Sequence, residues 1–125
     1  MGGKGTFAVG NSVPFVYETI GKISGVKVLK GIGQAHNLPE ESHSSKAYIK
    51  VDSSGNFVRY RQYNSDKTSY FDIDYHKEPQ ITGNKTEKVF HIHFYDRNGN
   101  RDDVGRRLSA DEIKQYKKYF RGRIL

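Results

Sequence analysis

The stretch FDIDYH (71–76) alternates without a break between apolar or aromatic residues and residues that can ionise. A second stretch, FHIHFY (90–95), carries a similar alternation. Because successive side chains of a β-strand point to opposite faces of its sheet, each stretch predicts a strand with one apolar and one polar face. Together they predict a sheet with a hydrophobic core on one side and a titratable surface on the other.

Two further strands precede these stretches and are joined to each other by a short turn. KAYIKV (46–51) and NFVRYRQY (56–63) both alternate, and the turn sequence DSSG separates them. NSDK (64–67) then leads into the third strand, and a longer polar loop leads to the fourth. Short connections make neighbouring strands antiparallel, so the four strands predict an antiparallel meander.

Helix is predicted at the C-terminus and, in part, near the N-terminus. Ser109 and Glu112 have the spacing of a capping box, which predicts a helix from Ala110. The glycine-rich segment FVYETIGKISGVKVLKGIG (15–33) predicts a partly helical piece, although its VKVL portion fits a short strand equally well. The expected fold class is therefore α+β, with a four-stranded antiparallel meander sheet packed against a C-terminal helix.

The overall composition limits the classes of function. The 125 residues fit one domain; MGGKG (1–5) is typical of an engineered start and linker, which leaves residues 6–125 as the domain. Lysine and arginine number 21 against 14 aspartates and glutamates, and the formal charge of +7 suits a polyanionic partner such as nucleic acid. The chain has no cysteine, which excludes disulfides, thiolate zinc sites and thiol nucleophiles.

Alternation and turn length predict which side chains share the polar surface. Val58 and Tyr60 are the expected core pair of the second strand, so Arg59 and Arg61 point away from the core. A four-residue loop at NSDK would place Arg59 opposite Asp72. Any register of the last two strands that keeps both apolar rows in the core adds four residues to the same surface: Asp74, His76, His91 and His93.

These residue types suit the cleavage of RNA by its own 2′-hydroxyl group. The reaction needs a base, an acid and cations around the phosphate. Imidazoles supply the base and the acid near neutral pH, guanidinium groups bind phosphate, and a carboxylate orients either group. The prediction assigns acid and base chemistry to His91, His93, His76 and His43, orientation to Asp72, and phosphate binding to Arg59, Arg61 and Lys46. This chemistry requires no metal or other cofactor.

Two other functions remain open at this point. A metal-dependent DNase could use His76, His91, His93 and Asp74 as ligands for zinc, manganese or magnesium, although two nearby arginines would repel a cation. A non-catalytic module could bind nucleic acid or protein through its basic surface. For each function that involves nucleic acid, the basic side chains of the C-terminal helix would contact the backbone: Lys114, Lys117, Lys118 and Arg121. All of these residues also fit a plain solvated surface.

Three short motifs support a family resemblance: R-x-R-x-Y (59–63), D-I-D-Y-H (72–76) and H-I-H (91–93). With the surrounding residues 35–100 they resemble the C-terminal toxin modules of bacterial polymorphic and contact-dependent toxin systems. The resemblance implies a nuclease toxin, often with a compact barnase-like α+β fold, that is secreted as part of a larger effector and acts in the cytoplasm of the target bacterium. It also implies a cognate immunity protein, which charge complementarity predicts to be acidic. No apolar run approaches the length needed to span a bilayer, so no membrane anchor is expected in this fragment.

Overall fold

The computed structural model describes residues 16–32, 37–42 and 45–123, which form one seven-stranded sheet in the order β1 to β7. Neighbouring strands are antiparallel, apart from the parallel pair β2 and β3. The strands are β1 (Val16–Ile23), β2 (Val26–Ile32), β3 (Ala47–Val51), β4 (Phe57–Tyr63), β5 (Ser69–Lys77), β6 (Lys88–Phe94) and β7 (Arg106–Arg107). The helices are α1 (Pro79–Thr82), α2 (Ala110–Tyr116) and a 3-10 helix (Lys117–Tyr119). Within the described ranges, none of these helices is long and apolar enough to cross a bilayer.

The predicted α+β fold, a four-stranded meander packed against a C-terminal helix, is wrong, and so is the barnase-like architecture that the resemblance implied; the structure is a larger sheet with only short helices. The four predicted strands are β3 to β6, and they form the centre of a larger sheet. The segment predicted to be partly helical forms the β1–β2 hairpin, and the basic loop after β6 contributes the short β7. The predicted linker, residues 1–5, lies outside the described residues.

The turn at Ser24 and Gly25 explains why the N-terminal segment is a hairpin. Both residues have positive φ angles, of 48° and 86°. Two successive positive φ angles form a turn whose twist matches that of the flanking antiparallel strands. Ile23 and Val28, on either side of this turn, are buried in the main core. Tertiary burial therefore favours strands here over the weak helix that the glycine content allows.

The main hydrophobic core lies on one face of the sheet and is rich in aromatic rings. α2 and the 3-10 helix cover this face with partly or fully buried side chains, namely Ile113, Tyr116, Tyr119 and Phe120. The predicted capping box is confirmed: the Ser109 hydroxyl accepts from the Glu112 N–H, and the Glu112 carboxylate accepts from the Ser109 N–H. The helical segment therefore packs on the core face alone and does not cover the opposite face.

The core side of β4 begins with Phe57 and not with the predicted Val58. The register shifts in this part of the ladder, where Lys50 pairs with Arg59 but Val51 pairs with Phe57. The bulge leaves Val58 as the extra residue of β4 and turns Phe57 into the core, where it is fully buried.

A smaller hydrophobic cluster lies on the opposite face of the sheet from the main core. Its members are Tyr17, Leu29, Leu38, Tyr48 and Tyr63. Leu38 belongs to the described segment 37–42 between β2 and β3, so this segment crosses the second face. It covers one end of that face and removes water from the polar groups beneath it.

Candidate functional site

Two cross-strand rows collect titratable residues on the face opposite the main core. Across β3 to β7, consecutive partners in the first row are Lys50, Arg59, Asp74, His91 and Arg107. Across β3 to β6, the second row contains Tyr48, Arg61, Asp72 and His93. A bridge between Tyr95 and Arg101 follows the second row. We call these eleven residues the polar face.

The predicted partner of Arg59 is wrong, although the shared face is as predicted. Arg59 lies opposite Asp74, and Arg61 lies opposite Asp72. The turn occupies residues 64–68, one more than predicted, and a bulge at the start of β5 adds another residue. The register therefore moves by two residues. Because side chains alternate with a period of two, this shift keeps Arg59, Arg61, Asp72 and Asp74 on their predicted face.

Asp72 is 0% exposed and is held by Arg61 and Tyr95. Arg61 donates from Nε and Nη2 to the two carboxylate oxygens at 2.6 and 3.0 Å, and the Tyr95 hydroxyl donates to Oδ2 at 2.7 Å. Burial, reinforced by the charge of Asp72, raises the pKa of Tyr95 to about 12, so this hydroxyl keeps its proton at neutral pH.

Arg61 uses all five of its N–H groups inside the protein. Besides its bonds to Asp72, it donates to the carbonyl oxygens of Leu38 and Pro39 and to the Tyr95 hydroxyl. Arg61 is only 5% exposed. The side chain therefore ties the crossing segment to the sheet, and the geometry gives no support to its predicted role as a phosphate ligand.

Asp74 is the central carboxylate of the first row and bridges two arginines. Arg59 donates from Nε to Oδ1 at 2.5 Å and from Nη2 to Oδ2 at 3.0 Å, and Arg101 donates from Nη2 to Oδ2. Burial by itself raises the pKa of Asp74, but the hydrogen bond and charge of Arg59, followed by the charge of Arg101, hold that pKa below its ordinary value. Asp74 is therefore ionised at neutral pH.

His91 and His93 turn the same ring nitrogen toward Asp74. His91 Nδ1 donates to the carbonyl oxygen of Val89 at 2.9 Å, and His93 Nδ1 donates to the carboxylate of Asp102 at 2.8 Å. In the neutral rings these bonds fix the proton on Nδ1 and leave Nε2 as an acceptor. The Nε2 atoms of His91 and His93 lie 4.0 and 3.9 Å from Asp74 Oδ2, and the ring centroids are 4.9 Å apart.

Burial sets the protonation state of His91. The side chains of His91 and His93 are only 3% and 4% exposed. This burial lowers the pKa of His91, an effect that the hydrogen bond to Val89 and the charge of Asp74 only partly offset. His91 is therefore neutral at pH 7, with a free lone pair on Nε2.

Several predicted site residues lie apart from the group formed by Asp74, His91 and His93. His76 is exposed at the end of β5, where its ring hydrogen-bonds the carbonyl oxygen of Lys77, and Lys46 is exposed beside the start of β3. His43 lies outside the described residues. The predicted backbone-binding residues are exposed on the helical segment that covers the main core, on the other side of the sheet: Lys114, Lys117, Lys118 and Arg121.

Two important residues were absent from the predicted site. Arg101 binds Asp74, and Asp102 orients His93 and also accepts the backbone N–H of Phe94. A signal for Arg101 was present, because the turn sequence DRNGN (96–100) pairs the residues on either side of it. Directly paired residues share a face, so this turn brings Arg101 to the surface that carries His93. No comparable signal marks Asp102, which lies outside the regular ladder.

The chain matches no family model, no curated protein and no solved structure. A functional assignment therefore depends on the residues of the polar face. Three arginines lie against two aspartates here: Arg59 and Arg101 contact Asp74, and Arg61 contacts Asp72. A third carboxylate, Asp102, contacts His93 from beside the polar face. Lys50 and Arg107 stand at the two ends of the first row, so basic side chains outnumber carboxylates on the polar face, and its net positive charge favours an anionic ligand.

Gly105 supports His93 through a close backbone approach. Its φ is 77°, and a Cβ at this position would collide with the carbonyl oxygen of Ile92 and lie 3.1 Å from His93 Nδ1. We expect Gly105→Ala to displace the His93 ring and to lower the free energy of unfolding by about 2–4 kcal/mol, combining left-handed backbone strain with overpacking. Chemical denaturation and the NMR signals of the His93 ring measure the two effects.

Gly99→Ala is the matched control for Gly105→Ala. Gly99 has a φ of 82°, and no atom of the described residues lies within 4 Å of the place that an added Cβ would take, so this position shares the backbone strain without the collision. We expect the substitution to cost about 1–2 kcal/mol and to leave the His93 signals in place. Equal effects of the two substitutions would contradict the supporting role of Gly105.

Proposed function

We propose that the chain is a metal-independent ribonuclease whose active site is the polar face. The observation that supports this most strongly is the convergence of His91 Nε2 and His93 Nε2, each with its tautomer set by a hydrogen bond at Nδ1. Acid–base cleavage of RNA needs two such groups within reach of one phosphodiester, with cations beside them. Arg59 and Arg101 supply those cations.

His91 is the proposed general base, and His93 is the proposed general acid. The 2′-oxygen attacks phosphorus while His91 Nε2 accepts its proton. The bond from phosphorus to the 5′-oxygen breaks while protonated His93 donates a proton to that oxygen. The products are a 2′,3′-cyclic phosphate and a free 5′-hydroxyl. Asp102 orients His93 and stabilises positive charge on its ring, as a carboxylate does in other imidazole–carboxylate pairs.

Arg101 is the best candidate for the phosphate-binding group. Its side chain is 31% exposed, and its Nε atom is buried without a hydrogen-bond partner in the described part of the chain. This Nε lies 3.8 Å from Asp72 Oδ2, and a rotation of the partly exposed side chain would let the guanidinium donate to a phosphate oxygen. Lys50 and Arg107 extend positive charge along the first row on either side of Arg59, Asp74 and His91. These residues replace Arg61 in the proposed phosphate-binding set.

A cleft next to the first row offers room for a nucleotide. Its volume is about 500 Å³, and its lining includes Leu29, Lys30, Asn37 and Lys50. The side-chain oxygen of Asn37 accepts a hydrogen bond from Arg59 Nη1 at 2.9 Å, which connects the cleft to the charged row. Apolar and amide groups beside a lysine suit a base and its neighbouring phosphate.

The resemblance to polymorphic toxin modules gives this activity a biological setting. We propose that the ribonuclease is a toxin domain, delivered as part of a larger secreted effector into the cytoplasm of a rival bacterium. A cognate immunity protein with an acidic surface would complement the net charge of +7 and protect the producing cell. Induced expression in a bacterial host should stop growth, whereas expression of His91→Ala should not.

The lowered pKa of His91 predicts the acid side of the pH–rate profile. A general base must be unprotonated, so kcat/KM falls when His91 gains a proton. Since burial lowers this pKa below the ordinary value of 6.5, we expect the acid limb of the profile below pH 6.5. Below pH 6.5 the His91 side chain binds more protons in the unfolded chain than in the folded protein, so the free energy of unfolding falls as the pH falls. Folding must therefore be monitored in parallel. An acid limb above pH 6.5 in folded protein would contradict the assignment.

A cleavage assay tests the proposed function against its alternatives. Purified protein is incubated with total RNA and with plasmid DNA, each with and without EDTA. RNA cleavage that persists in EDTA supports the proposal. Cleavage of DNA only when a divalent ion is present would favour the metal-dependent DNase, and cleavage of neither polymer would favour a binding module.

A further inference from the structure

The three atoms at the centre of the polar face are all electron-pair donors. In the tautomers fixed above, Nε2 of His91 and Nε2 of His93 carry lone pairs, and Asp74 Oδ2 belongs to an ionised carboxylate. Together these ligand-type atoms lie within 4.8 Å of one another, and all three residues are buried. Two imidazole nitrogens and one carboxylate oxygen are a common ligand set for zinc.

We propose that Asp74, His91 and His93 bind a divalent transition-metal ion of the zinc class in competition with Arg101, and that the bound ion inhibits the ribonuclease. Binding follows from the ligand geometry alone. Inhibition rests on the proposed function, because the ion would occupy the Nε2 atoms that transfer protons. Three protein ligands leave the remaining coordination positions to solvent.

The ligand atoms lie somewhat farther apart than in a formed zinc site, with every pair within 4.8 Å. Ligand atoms of a tetrahedral zinc ion lie about 3.3 Å apart, given bond lengths of about 2.0–2.1 Å. The Nε2 atoms of His91 and His93 lie 4.0 and 3.9 Å from Asp74 Oδ2. Small rotations of the imidazole rings toward the carboxylate would close these gaps. Magnesium prefers oxygen ligands and an octahedral shell, so this nitrogen-rich set should select zinc or cobalt over magnesium.

The partners of the two imidazoles are those that metal-bound histidines usually have. A histidine that binds a metal through one ring nitrogen commonly donates the other N–H to a carboxylate or a backbone carbonyl. His91 donates to the carbonyl oxygen of Val89, and His93 donates to the carboxylate of Asp102. Both rings are thus already oriented with Nε2 toward the common centre.

Arg101 is the internal cation that a metal ion would replace. It donates from Nη2 to Asp74 Oδ2, the same oxygen that faces both imidazoles. Its Nε is buried without a hydrogen-bond partner in the described residues, so this position satisfies the guanidinium only in part. Because the side chain is 31% exposed, it can move toward solvent. Asp74 would keep its bonds to Arg59 while exchanging Arg101 for the metal ion.

Metal binding can be measured without any nuclease activity. Titration of wild-type protein with CoCl₂ should produce the visible absorption of low-coordinate cobalt, and calorimetry with ZnCl₂ should give one site per chain. Arg101→Gln should strengthen zinc binding by about 10-fold or more, because it removes the competing cation. Asp102→Asn should weaken binding by about 10- to 100-fold. Arg97→Gln, an exposed arginine in the adjacent turn, is the control of equal charge change and should alter nothing.

The outcomes separate this inference from the proposed function. Zinc binding that is stronger in Arg101→Gln supports the site even if RNA is not cut, provided that circular dichroism shows the variant to be folded, because an unfolded chain also binds zinc through its histidines. Inhibition of RNA cleavage by equimolar zinc, reversed by EDTA, supports the regulatory effect. Failure of wild type and Arg101→Gln to bind zinc or cobalt overturns the site while leaving the ribonuclease intact. Stimulation of cleavage by zinc overturns the proposed inhibition.

Discussion

His91→Ala lowers the rate of RNA cleavage by about 100- to 10,000-fold, the usual range for loss of a general base. The proposed reaction has no other group to accept the 2′-proton in the same position. His93→Ala should cause a loss of similar size, because the leaving 5′-oxygen would depart without a proton. Single-turnover rates on a short RNA measure both losses directly and keep product release out of the comparison.

Two controls separate lost chemistry from lost structure in this experiment. Val89→Ala removes buried volume from the same strand and the same face but leaves the carbonyl group that orients His91. His76→Ala removes an exposed histidine that lies outside the convergent group. Both variants should retain activity within about 10-fold of wild type. A folded His91→Ala variant with wild-type activity, or an inactive His76→Ala variant, would contradict the proposed roles.

The second large effect concerns the stability of the fold. Asp72→Ala should lower the free energy of unfolding by about 3–5 kcal/mol, the usual cost of leaving one partner of a buried ion pair without its counter-charge. Asp72 is fully buried, and its removal leaves the Arg61 guanidinium without its bidentate partner and Tyr95 without an acceptor. Urea denaturation followed by circular dichroism gives the difference.

A double variant tests the reason for this loss. Arg61→Met combined with Asp72→Leu replaces the pair with apolar residues, so we expect it to be more stable than Asp72→Ala alone. Asp103→Ala, at an exposed carboxylate, is the control and should change stability by about 0.5 kcal/mol or less. A loss below about 1 kcal/mol for Asp72→Ala would show that the buried guanidinium of Arg61 does not need Asp72 as its counter-charge, and would contradict this prediction.

The central strands and their faces could be predicted because alternation is a local property. FDIDYH and FHIHFY each determine which side chains point away from the core, and a register error of two residues does not change that result. The partner of Arg59 could not be predicted, because it depends on a bulge and on one extra turn residue that leave no clear mark in the sequence. The choice between Phe57 and Val58 failed for the same reason.

The extent of the sheet depends on contacts that local patterns do not contain. β1 and β2 come from a segment with weak preferences for both helix and strand, and the parallel pairing of Lys27 with Tyr48 joins residues separated by a long connection. β7 has only two residues, too few for any periodicity. The place of Arg101 on the polar face could have been predicted from the turn that precedes it. The hydrogen bond between Asp102 and His93 could not, because no sequence pattern marks it.

Cleavage of a short RNA in EDTA, compared with the same oligonucleotide carrying one 2′-deoxy sugar at the cleaved position, is the most direct test of the proposed active site. We predict that the wild-type domain cuts the RNA to a 2′,3′-cyclic phosphate and a 5′-hydroxyl end. The 2′-deoxy substrate should resist cleavage at that position, and His91→Ala should cut the RNA at least about 100-fold more slowly than wild type. Cleavage of the 2′-deoxy position at the same rate, or a strict requirement for added metal, would contradict metal-free transesterification by the polar face.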